Sequence, residues 1–232
     1  MRDSDRFVLW RYLVPFRLKY VRKTFAGRRF KLLDVGCGIN SFEVTKYWLP
    51  NAAYYGLDKH RGEEGEYYGA MDGFFLIDLE RETLRSIPDG FFDVIILSHV
   101  IEHLDNGLAV VRELSTKLAP LGYIYIETPS IRTLALPSAD GFLHFHDDST
   151  HKRLYDIKDI ANELLSSEVK IIRAARRRDP VGTLVLGPMA VLYNVPYLLR
   201  HRRLYGRPLW DLLGIAEFVL GQKKARPGGE SY

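Results

Sequence analysis

Short apolar runs alternate along the chain with longer stretches that repeat apolar residues at helical spacing. "FKLLDVG" (30–36) is an apolar run ending at glycine, which predicts a buried strand. "SFEVTKYWL" (41–49) predicts a short helix stopped by Pro50. "AAYYGLD" (52–58) predicts a second strand, "GEEGEYYGAMDG" a loop, and "FFLIDL" (74–79) a third strand. "GFFDVIILSHV" (90–100) reads as a strand, "NGLAVVRELSTKLAP" (106–120) as a helix ending at Pro120, and "GYIYIETP" (122–129) as an alternating strand. "DIKDIANELLSS" (156–167) predicts a helix with Asp156 as its N-cap. "EVKIIRAAR" (168–176) and "GIAEFVLGQKK" (214–224) predict the last two strands. Strands alternating with helices predict an α/β fold: a doubly wound, mostly parallel seven-stranded sheet with helices on both faces. In such sheets the ligand lies at the carboxyl ends of the strands.

The first strand delivers the chain to "DVGCGIN", so this loop borders the expected site. A phosphate-cradling loop of the G-x-x-x-x-G-K-[ST] type fails, because Ser41 stands five residues after Gly36. A dinucleotide fingerprint is met in part: Gly36 and Gly38 supply the first pair, but the third position is Ser41. A ligand without phosphate remains, and S-adenosylmethionine is one. It needs close backbone approach, which glycines permit, and carboxylates near its charges and its ribose hydroxyls. Asp34, Asp58 and Asp78 stand at the ends of the first three predicted strands. For any one of them the alternative is a helix cap or a turn residue. Three at successive strand ends favour a ligand.

The segments "LLDVGCGIN", "YYGLD", "FFLIDLE", "FDVIILSHVIEHL" and "LAPLGYIYIETPS", in this order over roughly residues 30–130, resemble class I S-adenosylmethionine-dependent methyltransferases. The resemblance is to the broad group with an "EHL" segment and a "T-P" in the fifth strand, types 11 and 23. Asn40 departs from the glycine many members carry, but Asn tolerates left-handed backbone angles. The resemblance implies a Rossmann-like domain over 30–232, preceded by a helical extension at 1–29 and interrupted by an insertion at about 180–212. It implies that Asp34, Gly36 and Gly38 hold the methionine end of the cofactor and that Asp58 binds the ribose. Asp78 and the Leu79 backbone would meet the adenine. Cys37, as a small loop residue, Lys59 and Ser98 complete the implied cofactor set, with Ser98 and His99 beside the methyl group.

Transfer to a hydroxyl calls for a base, and histidine suits that work. Five of the seven histidines fall in two clusters. His99, Glu102 and His103 in "HVIEH" would share one face if helical, which is ligand-competent spacing for a divalent metal. Some quinone-pathway O-methyltransferases resemble this with E-x-x-E-H, where His99 here replaces the first Glu. The favoured reading is that Glu102 and His103 orient the loop and cap the next helix, with no metal ligand assigned. The second cluster, "HFHDDSTHKRLY" (144–155), follows the fifth strand, where related enzymes build the acceptor site. His99, His146 and His151 are the candidate catalytic residues. The alternative for the second cluster is a hydrogen-bonded loop that buttresses the site.

Charge and composition refine this picture. Residues 1–30 carry nine Lys/Arg against two acids, 31–169 twelve against twenty-three, and 170–232 twelve against four. Basic flanks around an acidic middle point to a polyanionic neighbour, or to flanks that pack on the domain and neutralise it. Cys37 is the only cysteine, which excludes an internal disulfide and fits a cytoplasmic, reducing setting. The N-terminus lacks the uninterrupted apolar core of a secretion signal and reads as a basic amphipathic helix or helix pair broken near Pro15. "VGTLVLGPMAVLYNVPYLL" (181–199) is uncharged and is followed by "RHRR". Pro188, Pro196 and the need to return to the sheet argue against a single span. The expected form is a hairpin or interfacial segment, serving as a lid, a homodimer surface or a contact with the inner face of a membrane.

These readings favour O-methylation of a small molecule, a sugar or a lipid-linked intermediate. A nucleic-acid methyltransferase would use the basic flanks, but "SHVIEH" is not the N/D-P-P-Y type and the acidic middle repels phosphates. A non-catalytic domain that kept the fold and binds the cofactor or a partner is the third reading; the intact Asp34, Asp58 and Asp78 argue against a decayed site. An NAD(P)-dependent oxidoreductase is disfavoured by Ser41.

Overall fold

The computed structural model describes residues 13–61, 67–206 and 209–225. Its apolar runs pair into one seven-stranded sheet. The strands are β1 (Phe30–Val35), β2 (Ala52–Asp58), β3 (Gly73–Leu76), β4 (Phe92–Ser98), β5 (Leu118–Pro129), β6 (Val169–Arg176) and β7 (Ala216–Lys223). Their order is β3-β2-β1-β4-β5-β7-β6. The first five run parallel, and β7 lies antiparallel between β5 and β6. The doubly wound, mostly parallel sheet expected from the sequence is the one that forms.

The centre of the sheet explains its continuous apolar runs. Leu32, Leu33 and Val35 of β1 and Val94 to Leu97 of β4 are at most 1% exposed, because a parallel sheet is covered on both faces. On one face α1 (Phe16–Thr24) and α2 (Ser41–Trp48) contribute Leu18, Val21 and Phe42 to a cluster with Leu32, Tyr54 and Val94. On the other, α4 (Gly107–Lys117) and α5 (Ile157–Ser166) bring Val111, Leu114, Ile160 and Leu164 against Leu33 and Ile95. Each such aliphatic side chain contributes about 1.5–3 kcal/mol by leaving water. Asp156 caps α5 as expected, its carboxylate accepting from the Lys158 N–H at 2.8 Å.

Several boundaries differ from the sequence reading. β3 stops at Leu76, and the Ile77 N–H turns back to the Asp58 carbonyl at 3.0 Å, so Asp78 stands in a turn beyond the strand. β5 begins at Leu118, before Pro120, because Leu118 already pairs with Phe92 across a register shift that absorbs the next residues. A single helical turn, α3 (Tyr67–Ala70), closes the loop before β3. The N-terminal stretch 1–12, loop residues 62–66 and the tail 226–232 lie outside the described residues; α1 begins directly after Pro15.

The largest correction concerns residues 181–199. They form no hairpin but part of one 22-residue helix, α6 (Pro180–His201). Pro180 fits the first turn, where no N–H partner is lost, and Pro188 and Pro196 both lie on the exposed side. The chain returns through the left-handed Arg202, the short α7 (Trp210–Leu213) and the left-handed Gly214. Among the described residues no helix is long and apolar enough to cross a membrane.

Tyr155 fastens the segment after β5 to the end of β4. Its buried hydroxyl donates to the Leu104 carbonyl at 2.6 Å and accepts the Gly107 N–H at 2.9 Å. Tyr155→Phe strands both backbone groups. Chemical denaturation should show a loss of about 1–3 kcal/mol; an unchanged midpoint and slope would mean the tie contributes nothing.

Candidate active site

The loop after β1 is shaped by its glycines. Gly36 has φ +68°, and a Cβ there would stand 2.3 Å from Val100 Cγ2. Gly38 has φ +53° with open space around it, so backbone is presented to the cleft. Asp34 is only 4% exposed. Its Oδ2 accepts from the Tyr54 hydroxyl at 2.9 Å and from the Ser41 hydroxyl, to which Arg17 of α1 donates at 2.8 Å. These bonds make Asp34 the fastener of the loop. The Cys37 side chain is buried, and burial, reinforced by Asp34 and Asp58, pushes its thiol up to about 12. It is no nucleophile at neutral pH.

Asp58 closes β2. One carboxylate oxygen accepts the Gly38 N–H at 3.0 Å, and the other accepts the His60 N–H at 3.1 Å. A carboxylate has about four lone-pair sites, so acceptor capacity remains for ribose hydroxyls. Asp78 organises its own turn, accepting the Glu80 N–H at 3.0 Å, and the Leu79 carbonyl takes the Asn106 side-chain amide at 3.0 Å. A cavity of about 520 Å³ runs between these elements, lined by Gly36, Asp58, Lys59, Asp78, Leu79, Val100, His103 and Lys152 among others.

A second cavity, of about 250 Å³, adjoins it and shares His103. His99, Glu102, Phe142, Phe145, His151 and Trp210 are among its walls. His99 follows Ser98 in a left-handed conformation, φ 56°. Its Nδ1 meets Glu102 Oε1 at 3.1 Å and its Nε2 meets Glu127 Oε1 at 2.9 Å. Burial disfavours the charged ring, but the two carboxylates overcome it and push the imidazole up to about 9. Both nitrogens therefore carry protons at neutral pH, and His99 has no lone pair with which to act as a base. Burial likewise disfavours the Glu127 charge, yet the Arg177 guanidinium at 2.7 Å, His99 and the Tyr125 hydroxyl hold it well below the usual carboxylate range.

The "DSTH" segment folds around its acids. Asp147 accepts the N–H groups of Ala139, Leu143 and His144, and Asp148 accepts the N–H and the hydroxyl of Thr150. This turn directs His151 inward, against Phe145 and 4.9 Å from the His103 ring. His146 points the other way; it is exposed and lines neither cavity. The expected helical face of His99, Glu102 and His103 does not form. The segment is a short 3-10 turn over Ile101–His103, and His99 lies outside it. Glu127, Arg177 and Trp210 were not singled out from the sequence. Glu127 in "YIETP" carried the one available signal, an acid inside an apolar strand.

A family model described as a methyltransferase domain matches residues 3–172. The chain belongs to this family of S-adenosylmethionine-dependent methyltransferases. It is 26% identical over 151 residues to a ubiquinone biosynthesis O-methyltransferase of Marinobacter nauticus, a match covering 60% of this chain and 62% of that one. The chain thus spans less than two thirds of that relative's length. A methyltransferase from Archaeoglobus fulgidus has a similar fold, with TM-score 0.59 and 21% identity over 92% of this chain and 94% of its own. So does one from Mesorhizobium loti, with TM-score 0.59 and 14% identity over 84% and 91%. The cofactor of the domain is S-adenosylmethionine. The cleft fits it: two glycines with positive φ expose backbone, and Asp58 retains acceptor capacity where a ribose would lie.

The His99 network has a pH signature. The folded pKa lies above the ordinary value of 6.5, so its stabilisation is complete below about 6.5 and lost as pH rises through about 9. Unfolding free energy should fall from pH 7 to 9.5, and His99→Gln should flatten that slope. An identical slope in the variant would place the titration elsewhere.

Proposed function

We propose that the protein transfers the methyl group of S-adenosylmethionine to an oxygen of a small hydrophobic, sugar or lipid-linked acceptor. The observation that carries this is the pair of adjoining cavities: a polar cleft with Asp58 and Asp78, and an aromatic pocket with imidazoles, meeting at His103. The M. nauticus relative is named an O-methyltransferase, which supports oxygen as the methylated atom. Residues 30–232 are the transferring domain, with 1–29 as an extension that carries α1 and the insertion at about 180–212 walling the acceptor side.

The bound cofactor supplies an electrophilic methyl group, and the protein aligns it and excludes water. Asp58 takes the ribose hydroxyls. Asp78 and the Leu79 backbone take the adenine edge. Gly36, Cys37 and Gly38 contribute backbone, Asp34 fixes their shape, and Lys59 and Ser98 border the site. Charged His99 is a positioning residue that sets the pocket floor beneath Trp210, whose ring lies 5.3 Å away. The acceptor hydroxyl lies against the His103–His151 corner of the second cavity.

The outer face of α6 suits a membrane-bound acceptor. Leu184, Val191, Leu192, Val195, Leu198 and Leu199 are 45–80% exposed and fall on one helical stripe. Arg200, Arg202 and Arg203 follow at its end, as a contact with anionic lipid headgroups requires. The protein then works at the inner face of a membrane without spanning it. The runner-up occupant of this stripe is a second copy of the chain, in a homodimer. Nucleic acid is not favoured as a substrate, since the acceptor pocket is small and aromatic.

Calorimetric titration with S-adenosylmethionine should give saturable binding that Asp58→Ala weakens at least tenfold; undiminished affinity would remove Asp58 from the site. Flotation with vesicles containing anionic lipid should recover the protein, and Leu192→Glu with Leu199→Glu should abolish recovery. Concentration-dependent dimers without flotation would instead assign the stripe to a second copy.

A further inference from the structure

Three side chains in the acceptor pocket are arranged for something other than proton transfer. Glu102, His103 and His151 each offer one ligand atom, and these atoms lie within 4.8 Å of one another. Glu102 is fully buried. Its Oε1 accepts from His99, while its Oε2 is buried with no hydrogen-bond partner among the described residues. An unpaired buried carboxylate oxygen is costly unless something positive meets it.

The two histidines are fixed in a common tautomer. His151 Nδ1 lies 2.6 Å from the Phe145 carbonyl, and His103 Nδ1 lies 3.1 Å from the Thr150 carbonyl. A carbonyl only accepts, and the Thr150 hydroxyl, 3.0 Å from His103 Nδ1, donates its own hydrogen to Asp148, so both Nδ1 atoms carry the hydrogen and both Nε2 atoms are left with a lone pair. Orientation of an imidazole by a backbone carbonyl through its other nitrogen is how metal-ligating histidines are held. A second carboxylate stands close: Asp148 Oδ2 is 3.9 Å from His151 Nε2, too far for a hydrogen bond. A cation bonded to each at about 2.0–2.2 Å can bridge that gap. The segments bearing these ligands are also tied together, since the Lys152 and Arg153 N–H groups donate to the Glu102 carbonyl at 2.9 and 3.1 Å.

We propose that Glu102, His103 and His151 form a binding site for a first-row divalent cation in the floor of the acceptor pocket, with Asp148 as an additional carboxylate. Two neutral imidazoles and a carboxylate suit Zn²⁺, Co²⁺ or Mn²⁺ better than Ca²⁺, which prefers oxygen alone. His99 is not a ligand, because both its nitrogens are engaged by Glu102 and Glu127. Its role toward the site is to hold Glu102 Oε1 so that Oε2 turns to the cation. The His103 and His151 lone pairs then hold the metal instead of a proton. An acceptor hydroxyl at the ion would lose its proton to solvent near neutral pH before the O–CH₃ bond forms and the S–CH₃ bond breaks. The catalytic consequence rests on the methyl-transfer reading; binding of the cation does not.

The test uses full-length, tag-free protein stripped with chelator and titrated with Co²⁺ and Zn²⁺. One equivalent of Co²⁺ should bind with visible ligand-field absorption, and Zn²⁺ should displace it. His103→Ala and His151→Ala, each checked for folding by circular dichroism, should each weaken binding at least tenfold. Asp58→Ala should leave metal binding intact while losing S-adenosylmethionine, which separates failure of this inference from failure of the functional reading. Absence of saturable binding to the folded protein, or affinity unchanged in both histidine variants, would overturn the proposal.

Discussion

A buried carboxylate at the carboxyl end of the central sheet holds the reactive side of this protein together. Glu127 is 1% exposed, yet it accepts from His99 after β4, from Arg177 after β6 and from Tyr125 on its own strand. Removing such a charge from water costs several kcal/mol, and only the two cations and the hydroxyl offset it. The strand ends cannot shift independently while that charge needs all three partners. His99 extends the constraint to Glu102, and Glu102 through its backbone carbonyl to the 152–153 segment. The second cavity is thus positioned by one network.

The glycine-loop side depends on a second, smaller network that reaches α1. Arg17 donates to Ser41, Ser41 to Asp34, and Lys19 of the same helix pairs with Asp179 at the start of α6. Part of the basic flank is therefore turned inward on the acidic domain. After α6, Arg202 is exposed, while Arg203 pairs with Asp140 at 3.2 Å.

What was legible in the sequence was local. Gly36, Gly38, Asp58 and the apolar runs declare themselves within a few residues, because turn geometry and strand burial are short-range constraints. Asp156 declared its cap in the same way. What was not legible depends on contacts distant in sequence. Arg177 reaches Glu127 only because β7 inserts antiparallel beside β5, and Trp210 reaches His99 only after α6 has turned back. His146 and His151 look alike in sequence; the turn set by Asp147 and Asp148 sends one to solvent and the other inward. The two prolines in α6 read as breaks, but both fall on its exposed side, where a missing N–H leaves no buried carbonyl stranded.

His103 is a wall of both cavities. Ligands held in both would touch the same ring, so a ring position favoured by one would be met by the other. Any coupling that results is reciprocal, so acceptor must alter the affinity for cofactor by the same factor as cofactor alters the affinity for acceptor. A single imidazole ring is thereby the place where any such coupling would be set, with the same strength whichever ligand arrives first.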